Sequence, residues 1–338
     1  MPYDPADSGA ARGCHAVRLA TQDVDDPEVP SESLPVVSSW LANGWGETPG
    51  EGWVAVDETD GPGDRGARVL GWYRMNLPDL ENRDRATLTP VVHPAFRRRG
   101  IGRELVRHAA RRAAGDGRSI LVSGALQGTA GEAFASRLGA KPGLVEARRV
   151  QDLTAMAPGT VARLRAAAAE KAAGYTIVSW PGLTPAEYVA KIADALNAMN
   201  DAPSDEGWED DLWDADRVRE RHDAVIRVSP LRRYSVAALH EATGELAGLT
   251  QVYIDPGVPS WGYQGLTAVT RPHRGHRLGL LVKAAMLDWL AEAEPALERI
   301  QTGNAASNAF MIEVNETLGY RLLEPAWQLY QLPVTEAE

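Results

Sequence analysis

Two stretches rich in arginine and glycine carry the clearest chemistry in this chain. In Arg97-Arg98-Arg99-Gly100-Ile101-Gly102, with Arg103 next, four guanidinium groups surround glycines that let a backbone pass close to a ligand. A helix opening at this point has first N–H groups with no intrahelical acceptor, and its dipole adds to their pull on an anion. This is the chemistry of a cradle for a phosphorylated small molecule. Arg274-Gly275-His276-Arg277-Leu278-Gly279 repeats the pattern, with Arg277 at the middle glycine position and Arg271 standing where the first copy has Pro94. No Gly-Lys-Ser/Thr follows the first glycines, and no strand ending in an acid lies about twenty residues on, so neither a P-loop nor a dinucleotide-binding unit is present.

Such a cradle needs a strand to deliver it and a helix to leave it, and the chain supplies both twice. Gly102 and Gly279 lie 177 positions apart; Gly139 of Leu138-Gly139-Ala140 and Gly319 of Leu318-Gly319-Tyr320 lie 180 apart. Two landmarks at nearly one spacing mark two copies of one unit. Alternating apolar residues predict strands at Gly52–Glu58, Arg68–Pro78 and Arg85–His93 before the first loop. They predict Tyr234–His240, Glu245–Ile254 and Gly262–Thr270 before the second. Asp60–Gly63 and Glu241–Gly244 read as turns. Thr184, Pro185 and Glu187 form a capping box that predicts a helix start. The Ala-rich segment 160–173 reads as a connecting helix between units at 1–159 and 174–338, and the acidic run Asp201–Asp211 reads as a long loop.

Composition narrows the function. The 338 residues include 35 basic and 46 acidic ones, a net charge of −11, so general binding to nucleic-acid backbones is not expected. No apolar run is long enough for a spanning helix, and the first thirty residues lack a signal-peptide core, so a cytoplasmic protein without membrane partners is expected. A lone cysteine, Cys14, and seven histidines without paired spacing predict no metal site.

The loop and the strand before it resemble the GNAT N-acetyltransferase superfamily, whose signature is Gln/Arg-x-x-Gly-x-Gly/Ala after a Val-x-Pro strand end; Arg97 to Gly102 fits at every defined position. The resemblance covers most of both halves and implies an α/β (α+β) fold: two tandem acyl-CoA N-acyltransferase domains, each a mixed, mostly antiparallel sheet flanked by helices. It implies that Arg97, Arg98, Arg99, Gly100, Ile101, Gly102 and Arg103 hold the pyrophosphate of acetyl-CoA, with the Val92 N–H facing the thioester oxygen. In the second half the same roles fall on Val269, Arg274, Gly275, His276, Arg277, Leu278 and Gly279. Asn304 and Asn308 match a later segment that contacts the cofactor arm.

Direct transfer of an acetyl group needs a neutral amine, an oxyanion donor and an acid for the leaving thiolate. Many members of the superfamily place a tyrosine four residues before the Gly of the Leu-Gly element; here those positions hold Ala135 and Asn315. Asn315 is read as a hydrogen-bond donor to the sulfur, Glu313 as a base, and Tyr263, with Gln264 and Thr267, as lining the acceptor side. The six acids between Asp201 and Asp211 suit a cationic acceptor. The sequence therefore points to an acetyl-CoA-dependent N-acetyltransferase for a small amine, with the second half catalytic. The competing reading is a noncatalytic CoA-binding or interaction protein with degenerate sites.

Overall fold

The computed structural model describes residues 1–46, 48–57, 68–205 and 207–337. The turn expected at Asp60–Gly63 and the Glu206 carboxylate lie outside the described residues. The first half runs α1 (Ser8–Asp25), α2 (Leu34–Asn43), β1 (Gly50–Val56), β2 (Val69–Asn76), β3 (Arg85–Val92), α3 (Ile101–Gly115), β4 (Ile120–Leu126), α4 (Ala130–Arg137) and β5 (Lys141–Asp152). After α5 (Thr160–Ala169) the second half runs β6 (Tyr175–Pro181), α6 (Val189–Asn197), α7 (Ala215–Arg217), α8 (Ala224–Val228), β7 (Arg232–His240), β8 (Leu246–Ile254) and β9 (Trp261–Val269). It closes with α9 (Leu278–Ala293), β10 (Arg299–Ala305), α10 (Ala309–Thr317), β11 (Tyr320–Leu322) and β12 (Trp327–Pro333).

All six expected strands lie within two residues of observed ones. Two elements differ from the sequence reading. The acidic opening segment holds α1, which Asp7 caps by accepting from the N–H groups of Gly9 and Ala10, and which buries Ala11, Cys14 and Val17 along one stripe. Thr184 does not cap a helix. Its N–H and hydroxyl both reach the buried Asp223 carboxylate, 3.0 and 2.9 Å away, and α6 begins only at Val189 after a 3₁₀ turn at Ala186–Tyr188. An acceptor that already faces the buried Arg233 guanidinium outcompetes the helix end for this threonine.

The twelve strands form one sheet in the order β1-β2-β3-β4-β12-β5-β10-β9-β8-β7-β6, with β11 also on β5. Neighbours are antiparallel except β3–β4 and β9–β10, which are parallel. The centre of this order is an exchange. β12, the last strand of the chain, pairs with β4 of the first half, while β5 of the first half pairs with β10 of the second. β12 and β5 meet along a pseudo-twofold, where Trp327 stands opposite Glu146.

Both clefts depend on the helices that pack behind the sheet. α3 buries Leu105, Val106, Ala109 and Ala113 against β2, β3 and β4. α9 is buried almost all round by β7, β8 and α5, and its apolar residues each contribute about 2 kcal/mol through removal from water. Polar pins tie the halves together. Asp255 accepts from the N–H and hydroxyl of Ser33, Arg217 pairs with Glu81, and Glu209 accepts from the Asn82 N–H at 2.7 Å.

Candidate acyl-CoA clefts and the chamber between them

Each loop contains two residues in the left-handed region separated by one residue. In the first they are Arg98 (φ 66°) and Gly100 (φ 88°), and in the second Gly275 (φ 88°) and Arg277 (φ 54°). The positions correspond across the 177-residue repeat, with arginine and glycine exchanged. A side chain in this region costs roughly 1–2 kcal/mol, and each loop bears that strain once. Arg277 therefore preserves the backbone path at the position where the first loop has glycine. α3 and α9 open directly after the loops, with Glu104 N–H donating to Gly100 O and Leu281 N–H to Arg277 O. The N–H groups of Ile101, Gly102 and Arg103, and of Leu278, Gly279 and Leu280, are the orphan donors of the two helix starts.

The leading arginines brace the loops from behind. Arg97 donates Nε to Val92 O at 3.2 Å and both terminal nitrogens to Asp25, at 2.9 and 2.6 Å. Arg274 repeats the arrangement, with Nε on Val269 O at 3.2 Å and its terminal nitrogen on Asp201. Arg271 also donates to Asp201, and the two guanidinium groups hold that carboxyl well below the usual range. Arg98, Arg99, Arg103 and Arg277 are exposed, and Arg99 lies over the Phe96 ring at 5.3 Å. The Nδ1 of exposed His276 lies 3.3 Å from Lys171 O.

Beyond each loop the parallel strands part. β3 and β4 are in register only from Arg85/Ile120 to Thr87/Val122, and β9 and β10 only from Trp261/Arg299 to Tyr263/Gln301. The gap in the second half opens into a cavity of about 590 Å³ lined by Gln264, Thr267, Lys283, Thr302, Asn304 and Asn308. Lys283 on α9 is buried; its Nζ donates to Asn315 Oδ1 at 2.7 Å and lies 4.6 Å from the centre of the Tyr320 ring. Burial brings its pKa down to about 7. Asn315 passes the chain on, donating Nδ2 to Asn304 Oδ1 at 2.7 Å. The matching position of α3 holds the apolar Val106.

The exchanged strands give the two gaps different occupants. Trp327 of β12 stands opposite Leu126 and lays its indole across Gly124 of β4, where a Cβ would be 2.3 Å from the ring. Glu146 of β5 stands opposite Ala305 and sets its carboxylate over Gly303 of β10, where a Cβ would be 3.3 Å from Oε2. Among the described residues the Glu146 carboxylate has no hydrogen bond and no ion pair, and burial pushes its pKa up. A second cavity of about 510 Å³ opens at the first half's gap, against Thr89–Val91 of β3 and Gly124–Leu126 of β4, and runs between the halves past Trp40, Trp72, Trp327 and Tyr263, with the paired Arg18 and Glu32 at one side. Glu146 and Gly303 line both cavities.

The structure redistributes the residues read from sequence as catalytic. Asn315 is buried beneath the second cleft as a link between Lys283 and Asn304. Glu313 is exposed on α10 and lines neither cavity, because the opposite face of that helix turns inward. Tyr263 reaches the central cavity, where burial and the nearby Glu32 carboxylate raise its pKa. Gln264 and Thr267 do line the second cleft. Of the acidic loop, Asp201 lines that cleft, whereas Glu209 and the Gly207 carbonyl bind Asn82 and Arg85 of the first half. His240, Glu245 and His273 come together with their ligand atoms within 4.8 Å of one another, a grouping that sequence spacing did not reveal. They are engaged locally: His273 contacts Glu245 and the Tyr175 hydroxyl, and His240 contacts Thr243. Glu146, Trp327 and Lys283 escaped the sequence reading; only the mid-helix position of Lys283 among apolar neighbours gave a signal.

A repeated strand–loop–helix with parted parallel strands and free N–H donors at the helix start defines a protein of two GNAT folds. Residues 14–139 match the acetyltransferase (GNAT) family. A tandem GNAT protein from the clavulanic acid biosynthesis pathway, in a structure without AcCoA, is similar over 99% of this chain and 98% of its own, with 28% identity and a TM-score of 0.80. A GCN5-related N-acetyltransferase from Sphaerobacter thermophilus shares the fold over 99% of this chain and 95% of its own, with 16% identity and a TM-score of 0.62. No curated protein matches. Residues 14–139 are those of a GNAT domain, and the chain as a whole has the fold of a tandem GNAT protein, a fold of acyltransferases. Among the described residues no helix is long and apolar enough to cross a membrane.

Proposed function

We propose that the chain is an acetyl-CoA-dependent N-acetyltransferase that acts on a small-molecule amine in the cytoplasm, with the second half as the catalytic one. The observation that carries this reading is the second cleft: parted strands, a helix start with orphan N–H groups, and between them a cavity of about 590 Å³ that reaches Arg274 of the loop. The loop N–H groups of Leu278, Gly279 and Leu280 would hold the pyrophosphate, with exposed Arg277 adding charge, and Asn304 and Asn308 would hold the arm. The thioester supplies an activated acyl carbon. The acceptor enters from the central cavity, whose tryptophan faces and unpaired Glu146 carboxylate suit a cationic amine carrying an apolar or aromatic body. The first half, with Trp327 across its gap, is read as a noncatalytic partner.

Calorimetric titration with acetyl-CoA tests this reading, since it needs no knowledge of the acceptor. Binding is expected to weaken by about one order of magnitude in Arg277→Glu, which puts a negative charge beside the pyrophosphate, and to change little at the catalytic site in Arg98→Glu. A chain that does not bind acetyl-CoA, or one weakened only by Arg98→Glu, would remove the second cleft from the reaction.

A further inference from the structure

We propose that Glu146, carried into the second half's cleft by the exchanged strand β5, is the general base that deprotonates the acceptor amine. The proposal rests on the reading of the second cleft as the acetyl-CoA site, and deepens it. Position is the first argument. Glu146 and Gly303 are shared by the wall of the cleft and the wall of the central cavity, so a carboxylate stands where an acyl donor from one side meets an amine from the other. Gly303 leaves the space that the carboxylate occupies; a Cβ there would stand 3.3 Å from Oε2 and press the carboxylate aside.

Lack of a partner is the second argument. The other carboxylates of the central cavity that bear on this point are committed, Glu32 to Arg18, Asp25 to Arg97 and Asp26 to Arg148. The Glu146 carboxylate accepts from no donor and is in no ion pair among the described residues, and its burial favours the protonated form. An incoming ammonium group is the counter-charge this position lacks. The pseudo-twofold mate of Glu146 is Trp327, whose indole cannot take up a proton, so the two gaps are not equivalent in this respect.

The need for a base follows from the acceptor. Only roughly one molecule in 10³ of an alkyl amine is neutral at pH 7. One proton of the ammonium passes to the Glu146 carboxylate. The freed lone pair forms the C–N bond with the acetyl carbon, the C–S bond breaks with its electron pair on sulfur, and the second N–H proton goes to the thiolate. The products are the acetylamide, CoA with a free thiol, and protonated Glu146, which releases its proton to solvent.

The full chain is tested with acetyl-CoA and two acceptors, tryptamine, which is protonated at pH 7, and hydroxylamine, which is largely neutral there, by release of the CoA thiol. Glu146→Gln is expected to bind acetyl-CoA with unchanged affinity and to lose on the order of 10²-fold or more in kcat/KM for tryptamine, while hydroxylamine turnover falls less than about threefold. Glu146→Asp should recover part of the tryptamine rate. Equal losses on both acceptors, or no loss on tryptamine, overturn the assignment of the base while leaving the acetyl-CoA site standing. A wild-type chain that binds acetyl-CoA and acetylates neither amine overturns amine transfer and the base together, and one that does not bind acetyl-CoA overturns the reading of the cleft itself.

Discussion

The two gaps between parted strands come from one repeated unit, yet they are finished by different residues. At the first, Trp327 lies over Gly124 and Val106 supports the floor; at the second, Glu146 lies over Gly303 and Lys283 occupies the floor. Loop geometry does not separate them, because both loops hold two left-handed residues and both leading arginines brace a strand carbonyl and a carboxylate. The difference teaches that a duplicated fold keeps its backbone machinery while the exchanged strands, which each half receives from the other, decide what stands in the gap.

The largest effect that would test this contrast is steric. Gly124→Val forces a side chain into the Trp327 indole and is expected to destabilise the fold by about 3 kcal/mol, since overpacking a ring held in a sheet has no easy relief. Gly303→Val meets only the far end of the Glu146 side chain and should cost much less. Thermal melts of the two variants measure the contrast, and equal losses would show that the two gaps are occupied alike.

A second test concerns the floors. The Lys283 ammonium titrates near 10.5 when unfolded and near 7 in the fold. Between these values the unfolded chain holds the extra proton, so the stability contributed at this site rises with pH and is lowest below pH 7. Going from pH 7 to pH 9 should stabilise the wild type by about 2 kcal/mol relative to Lys283→Met. Val106→Ala in the first half should lower stability with no change in the pH slope. Denaturant unfolding at the two pH values distinguishes these outcomes, and parallel slopes for wild type and Lys283→Met would refute a buried titrating amine.

The smallest expected effect compares the braces. The Arg97–Asp25 pair is half-buried, each side chain 21% exposed, whereas Arg274 is 46% exposed. Asp25→Asn should cost about 1 kcal/mol, and Asp201→Asn less, because solvent and salt screen the more open pair. Melting at low and high salt measures the difference. A larger loss from Asp201→Asn would mean that its contacts to Arg271 and Arg274 hold the second loop more firmly than the first is held.

Much of this was legible in the residues themselves. The loops, the strands before them and the helices after them are local patterns, with glycine, apolar alternation and arginine falling within about a dozen residues, and they appeared where expected. α1 was hidden because its apolar stripe is thin, three small residues in an acidic segment. Thr184 was misread because a capping box is a short-range signal, and a buried carboxylate 39 positions away offered a stronger partner. Asn315 is read from sequence as a donor to the leaving sulfur, but its partners Lys283 and Asn304 belong to other elements and make it a link between them.

The sequence by itself determined the duplicated unit and its arginine–glycine loops, because those depend on backbone freedom and charge within one turn of chain. Tertiary structure alone decided which residue faces each gap. The pairing of β12 with β4 and of β5 with β10 joins segments far apart in the chain, and no local period specifies such a register. It is set by long-range packing of the whole sheet, and that register is what puts a tryptophan in one cleft and an unpaired carboxylate in the other.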